Sequence, residues 1–89
     1  MSVYVDNMRA KFGRMIMCHM VADSLSELHE MAEQIGVARR WFQDKPQRPH
    51  YDICISKRSR ALDLGAIEID ARQTPAIARA CYERLSDGG

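Results

Sequence analysis

Valine at positions 3 and 5 with tyrosine between them sets a two-residue period, which predicts a short strand over residues 2–5. Asp6 and Asn7 close it, and Arg9, Lys11 and Gly13 mark residues 8–13 as a loop. From Arg14 to Ala22 both parities are apolar, with Ile16, Cys18 and Met20 on one side and Met15, Met17 and Val21 on the other. Apolarity on both sides predicts a central strand covered on both faces. His19 is its one polar interruption. A helix follows: Ser24-Leu25-Ser26-Glu27 fits a capping box, with Asp23 as an alternative cap. Leu28, Met31, Ala32 and Ile35 form its buried stripe, and Gly36 supplies the left-handed stop.

Further along, Val37–Phe42 fits a third strand, and Gln43–Pro49 reads as a loop because Pro46 and Pro49 interrupt regular structure. Ile53–Leu64 predicts a second helix ended by Gly65, although Ile53-Cys54-Ile55 also suits a strand. Ala66–Ile69 is a short last strand. Thr74-Pro75 starts a third helix with Ile77, Ala78, Cys81 and Leu85 as its stripe, and residues 86–89 are expected to fray. The order β-β-α-β-α-β-α predicts an α/β domain over residues 1–89, with a small, mostly parallel sheet of about four strands and two to three helices. Ligands of such sheets sit beyond the carboxyl ends of the strands.

Composition narrows the function classes. The chain has 89 residues, 46% hydrophobic and 28% charged, a globular balance in which the core of so short a domain is thin and a dimer would thicken it. Thirteen basic and twelve acidic residues leave +1, so a nucleic-acid partner is open but not favoured. The longest uncharged run, Met15 to Ala22, is too short for a membrane span, and Met-Ser-Val-Tyr-Val-Asp is not a secretory leader. Cys18, Cys54 and Cys81 are odd in number with no C-x-x-C pair, which suits reduced, buried thiols in a cytoplasm.

The charge is unevenly placed. Residues 36–61 hold Arg39, Arg40, Lys45, Arg48, Lys57, Arg58 and Arg60 against Asp44 and Asp52, a local +5. His50-Tyr51-Asp52 stands just before the predicted second helix, whose free amides favour an anion. Histidines, cations and amides together suit a small phosphate-bearing ligand of nucleotide type. In that reading His19 and His50 act as acid and base or hold phosphate, Tyr51 donates a hydrogen bond or stacks, Arg14, Arg40, Lys57 and Arg58 neutralise charge, and Asp23 and Asp52 orient the histidines. No metal ligand or cofactor is assigned in it. A second reading gathers His19 and His50 with Asp6, Asp23 or Asp52 around a divalent ion in a hydrolase or nuclease. A third is a non-enzymatic, homo-oligomeric interaction module. Spacing does not choose among them. His29 fits a packing partner, the three methionines Met15, Met17 and Met20 fit core filler, and Trp41-Phe42 fits core, with base stacking beside Arg40 as the alternative. No Walker loop or G-x-G-x-x-G is present.

Val3-Tyr4-Val5-Asp6, Gly13-Arg14-Met15 leading to His19-Met20-Val21-Ala22-Asp23, Glu27-Leu28-His29 and His50-Tyr51-Asp52, in this order, together resemble a small bacterial and bacteriophage family known only as a domain of unknown function. The resemblance runs over roughly residues 2 to 85. It implies a bacterial host cytoplasm and puts His19, Asp23, His29 and His50 on motif positions, but brings no activity. Where some members carry Trp-Pro-Ala-His-Gly, this chain has Arg9-Ala10-Lys11-Phe12-Gly13, so a histidine in that loop is absent.

Overall fold

A computed structural model describes residues 2–45 and 47–88, with side chains to residue 84. The strands are β1 (Val3–Asp6), β2 (Ala10–Phe12), β3 (Met15–Ala22), β4 (Phe42–Lys45), β5 (Arg48–Cys54) and β6 (Ile67–Ile69), and the α-helices are α1 (Leu25–Gln34), α2 (Ile55–Asp63) and α3 (Thr74–Gly88). They form one six-stranded sheet in the order β4-β5-β3-β1-β6, with β2 pairing β3 off that path. The α/β class and three helices agree with the sequence reading. The mostly parallel, four-stranded sheet does not: among the described residues only β1 and β6 pair in parallel, and the other pairings are antiparallel.

Two hairpins make the difference. Residues 10–12, read as loop, pair with the start of β3 across a turn in which Gly13 has φ +62°. Residues 43–49, also read as loop, contribute to β4 and β5. Gln47, at φ +66°, turns the chain between Lys45 and its partner Arg48. Pro46 lies outside the described residues, but Pro49 sits within β5, opposite Asp44 and one residue from the turn. Proline lacks only an N–H, a loss a hairpin tolerates near its end. The strand expected over residues 37–42 is instead an extended entry to a 3-10 turn at Arg39–Trp41. The second helix begins at Ile55, so Ile53 and Cys54 belong to β5.

The first helix forms where expected, and so does the central strand, although Met15 and Ile16 at its start are exposed rather than covered. β3 lies inside the sheet between β1 and β5. Its Cys18 and Met20 pack with Val5, Tyr51 and Ile53 beneath Leu28, Met31 and Ala32 of α1 and Ala61 of α2. Of the expected capping box one half forms: Ser24 Oγ accepts from the Glu27 amide, while the Glu27 carboxylate accepts from the Ser24 hydroxyl rather than from the Ser24 amide. The opposite face carries Val21 of β3 by alternation. There α3 lies over β3 and β5, with Ala78 and Cys81 buried. α3 continues to Gly88, where fraying was expected, and Gly89 and the Leu85 side chain lie outside the described residues. Among the described residues no helix is long and apolar enough to cross a membrane.

Gly36 follows α1 at φ +83°, and a Cβ there would approach Lys57 Nζ to 3.0 Å. Gly36→Ala is therefore expected to cost about 1 kcal/mol or more, because the added methyl disfavours the left-handed backbone. A lowered urea midpoint with unchanged slope checks this.

Candidate functional site

Antiparallel pairing brings the separated histidines together. The β3–β5 register sets His19 beside Asp52. His50 stands two residues before Asp52 on β5, so both point to the same face. The two imidazole rings lie 5.5 Å apart, edge to face. Asp52 Oδ1 is 3.7 Å from His19 Nε2 and 3.5 Å from His50 Nε2. One donor atom from each residue lies within 4.8 Å of the other two. These three donors face one another across a gap rather than bonding directly.

The backs of the rings are held. His19 Nδ1 is 2.8 Å from Asp6 Oδ2, and His50 Nδ1 is 2.8 Å from the Arg48 carbonyl. A carboxylate and a carbonyl only accept, so Nδ1 donates on both rings, and each ring turns its Nε2 to the gap. Asp52 is oriented as well: its Oδ2 accepts from Gln43 Nε2 at 2.6 Å, leaving Oδ1 for the gap.

Asp6 is fully buried. Burial alone would raise its pKa, but donors surround the carboxylate. The His19 amide lies at 2.9 Å, the Thr74 hydroxyl at 2.7 Å and the Met8 amide at 3.2 Å, in addition to the His19 ring. Together they hold Asp6 below the ordinary carboxylate value. The Asp52 carboxylate pulls His50 up against the effect of burial, and His50 in turn holds Asp52 down.

His19 and Asp52 open into a groove of about 650 Å³, within the range of small-molecule sites. Lys11, Arg40 and Lys57 bring three cations to its wall, against the one carboxylate of Asp52. Phe12, Met15 and Trp41 give it apolar surface. Trp41 and Met15, read as core, are in fact exposed.

Of the residues singled out in the sequence, His19, His50 and Asp52 meet, and Arg40 and Lys57 line the adjoining groove. Tyr51 does not join them. It points to the other side of β5, is fully buried and is 2.8 Å from His29 Nδ1 through its hydroxyl. Arg58 is buried away from the groove wall, donating to the Asp6 carbonyl at 2.9 Å and to Glu68. Asp23 lies four residues beyond His19, about 13 Å along an extended chain, where it accepts from the Ser2 amide and Tyr4 hydroxyl. Arg14 sits in the β2–β3 turn outside the groove wall. His50, Tyr51 and Asp52 lie within β5, so they do not meet the amides that open α2.

Cys54 stands at the start of that helix instead. Its Sγ is 3.2 Å from Ser56 Oγ, and that hydroxyl with the Lys57 and Ser56 amides lowers the thiol pKa. Sequence reasoning missed this, although a serine two residues after a cysteine at a helix start carries the signal. It also missed Lys11 and the bond from Thr74 to Asp6.

Residues 3–81 match the family described as Protein of unknown function (DUF4031). The chain belongs to this family. No curated protein and no solved structure matches this DUF4031 chain.

Asp6→Asn should destabilise the fold by roughly 2–4 kcal/mol, since an amide cannot accept from all these donors. Because the folded Asp6 pKa is depressed, its contribution is present above the unfolded value and disappears as pH falls through the folded value. Urea midpoints of both proteins should therefore converge in acid. Cys54 should alkylate first with iodoacetamide: Cys18 and Cys81 are 1% exposed, and burial pushes the Cys18 thiol up to about 11. Peptide mass spectrometry after brief labelling reads the order.

Proposed function

We propose that the chain is a divalent-metal-dependent hydrolase of a small phosphoester, with His19, His50 and Asp52 as the metal ligands. The observation that carries this reading is the joint presentation of two Nε2 atoms and one carboxylate oxygen, each side chain held from behind by a separate hydrogen bond. That arrangement is the supporting shell that orients ligands in metal sites.

Two nitrogens and one oxygen leave coordination positions open, and a divalent ion held there would polarise a phosphoryl oxygen and acidify a water. The chain's own residues do the rest. Asp6 keeps His19 in the tautomer that presents Nε2. Gln43 fixes the Asp52 carboxylate. Lys57, Arg40 and Lys11 offset the negative charge of a phosphoester in the groove. In hydrolysis the water oxygen forms the new P–O bond, the bond to the leaving alkoxide breaks, and the proton released by water goes to that alkoxide through solvent.

The full chain should bind about one equivalent of zinc or manganese by calorimetry. His19→Ala, His50→Ala and Asp52→Asn should each weaken binding by 100-fold or more, and Asp6→Asn by roughly 10–100-fold as an outer partner. Hydrolysis of bis(p-nitrophenyl) phosphate should require the added metal and stop with EDTA. Wild-type protein that binds none of zinc, manganese, magnesium or iron(II), or whose hydrolysis is unchanged by EDTA, overturns the reading.

A further inference from the structure

The chain's single tryptophan stands in the solvent. Trp41 is 59% exposed, and Phe12 is 71% exposed, on different elements that wall the same groove. A thin core gains from every aromatic ring it buries, so leaving both outside forgoes stabilisation. The Arg40 guanidinium lies 5.4 Å from the centre of the Trp41 ring and covers one face of it. Trp41 is thus held as a backed, flat π surface beside cations, in a groove whose wall also includes His19 and Asp52.

We propose that this groove takes a free nucleotide, with the base stacked on Trp41 and the phosphate drawn by Lys57 and Lys11 toward His19 and Asp52. This deepens the hydrolase reading and rests on it for the fate of the phosphoester, but not for binding. Charge complementarity selects the occupant. Three cations against one carboxylate suit an anion, and the flat aromatic wall suits a base, whose π face is read without sequence preference. An uncharged apolar partner would leave those cations desolvated and unpaired. A long nucleic acid would call for a wider basic footprint than a chain of net charge +1 supplies.

Trp41 reports its own occupancy, because all tryptophan emission of the chain comes from it. The full chain is titrated with AMP, adenosine, ribose 5-phosphate and inorganic phosphate, once in EDTA and once in saturating magnesium, with excitation at the red edge and calorimetry alongside. AMP is expected to quench Trp41 saturably, adenosine to do so more weakly, and the two ligands without a base to leave emission unchanged. Trp41→Phe should keep AMP affinity within about threefold, whereas Trp41→Ala should lose at least about tenfold without altering ribose 5-phosphate binding. Lys57→Ala should weaken AMP and ribose 5-phosphate alike.

Absence of AMP quenching in both conditions overturns the proposal, as does unchanged AMP affinity in Trp41→Ala. A short oligonucleotide that binds tenfold more tightly than AMP removes the free-nucleotide assignment. A concentration-dependent blue shift of Trp41 without ligand puts a second copy in the groove and likewise overturns it. The two readings fail separately. AMP quenching that persists in EDTA and in His19→Ala, with no metal bound by wild-type protein, leaves the nucleotide site standing and removes the hydrolase. Metal binding with no AMP response does the reverse.

Discussion

A buried carboxylate at the end of the first strand ties the architecture to the chemistry. Asp6 is fully buried, and such a charge persists inside a protein only when donors surround it. Here those donors come from β3, from the loop after β1 and from the start of α3. Satisfying one anion therefore fixes three parts of the chain together, and the ring held by that anion is the one that turns its other nitrogen outward. Arg58 adds a fourth tie, from α2 to the Asp6 carbonyl. The fold around His19 is specified by polar satisfaction as much as by apolar burial.

The site's remaining members depend on topology. A mostly parallel sheet would have needed a long connection before each neighbouring strand. The β4–β5 hairpin needs none, and it delivers His50 and Asp52 against β3 directly. The cations that looked like one basic segment are dispersed by the same path. Arg58 goes to the interior, and only Arg40 and Lys57 of the seven between residues 36 and 61 reach the groove, where Lys11 of β2 joins them.

What could be read from the sequence follows from how local its causes are. α1 was legible because Ser24, Glu27, the apolar stripe and Gly36 are all contained in one short span. β3 was legible as a strand because apolar residues run along both parities, although only its second half is covered, with Met15 and Ile16 exposed. The β4–β5 hairpin was not, because Pro49 reads as a breaker until its partner strand is known, and the polar residues Gln43, His50 and Asp52 mask the alternation of a strand whose other face is buried. His19 and Asp52 were each visible as candidates, but their adjacency is a property of register, which no local pattern contains. Tyr51 was misassigned for the related reason that its neighbours in sequence face the opposite way. Trp41 went to the core on hydrophobicity alone, whereas the 3-10 turn carries it to the groove rim.

The alternation of β5 has a consequence for how far such a site can shift. Pro49, Tyr51 and Ile53 point inward, and His50 and Asp52 occupy the intervening positions. Sliding this strand by one place would send imidazole and carboxylate into the apolar interior and a tyrosine ring out. A shift of register in the hairpin therefore cannot displace His50 and Asp52 while keeping a sound interior. Keeping the interior keeps the placement of His50 and Asp52 with it, whereas β2 and the 3-10 turn on the groove wall contribute no buried side chain.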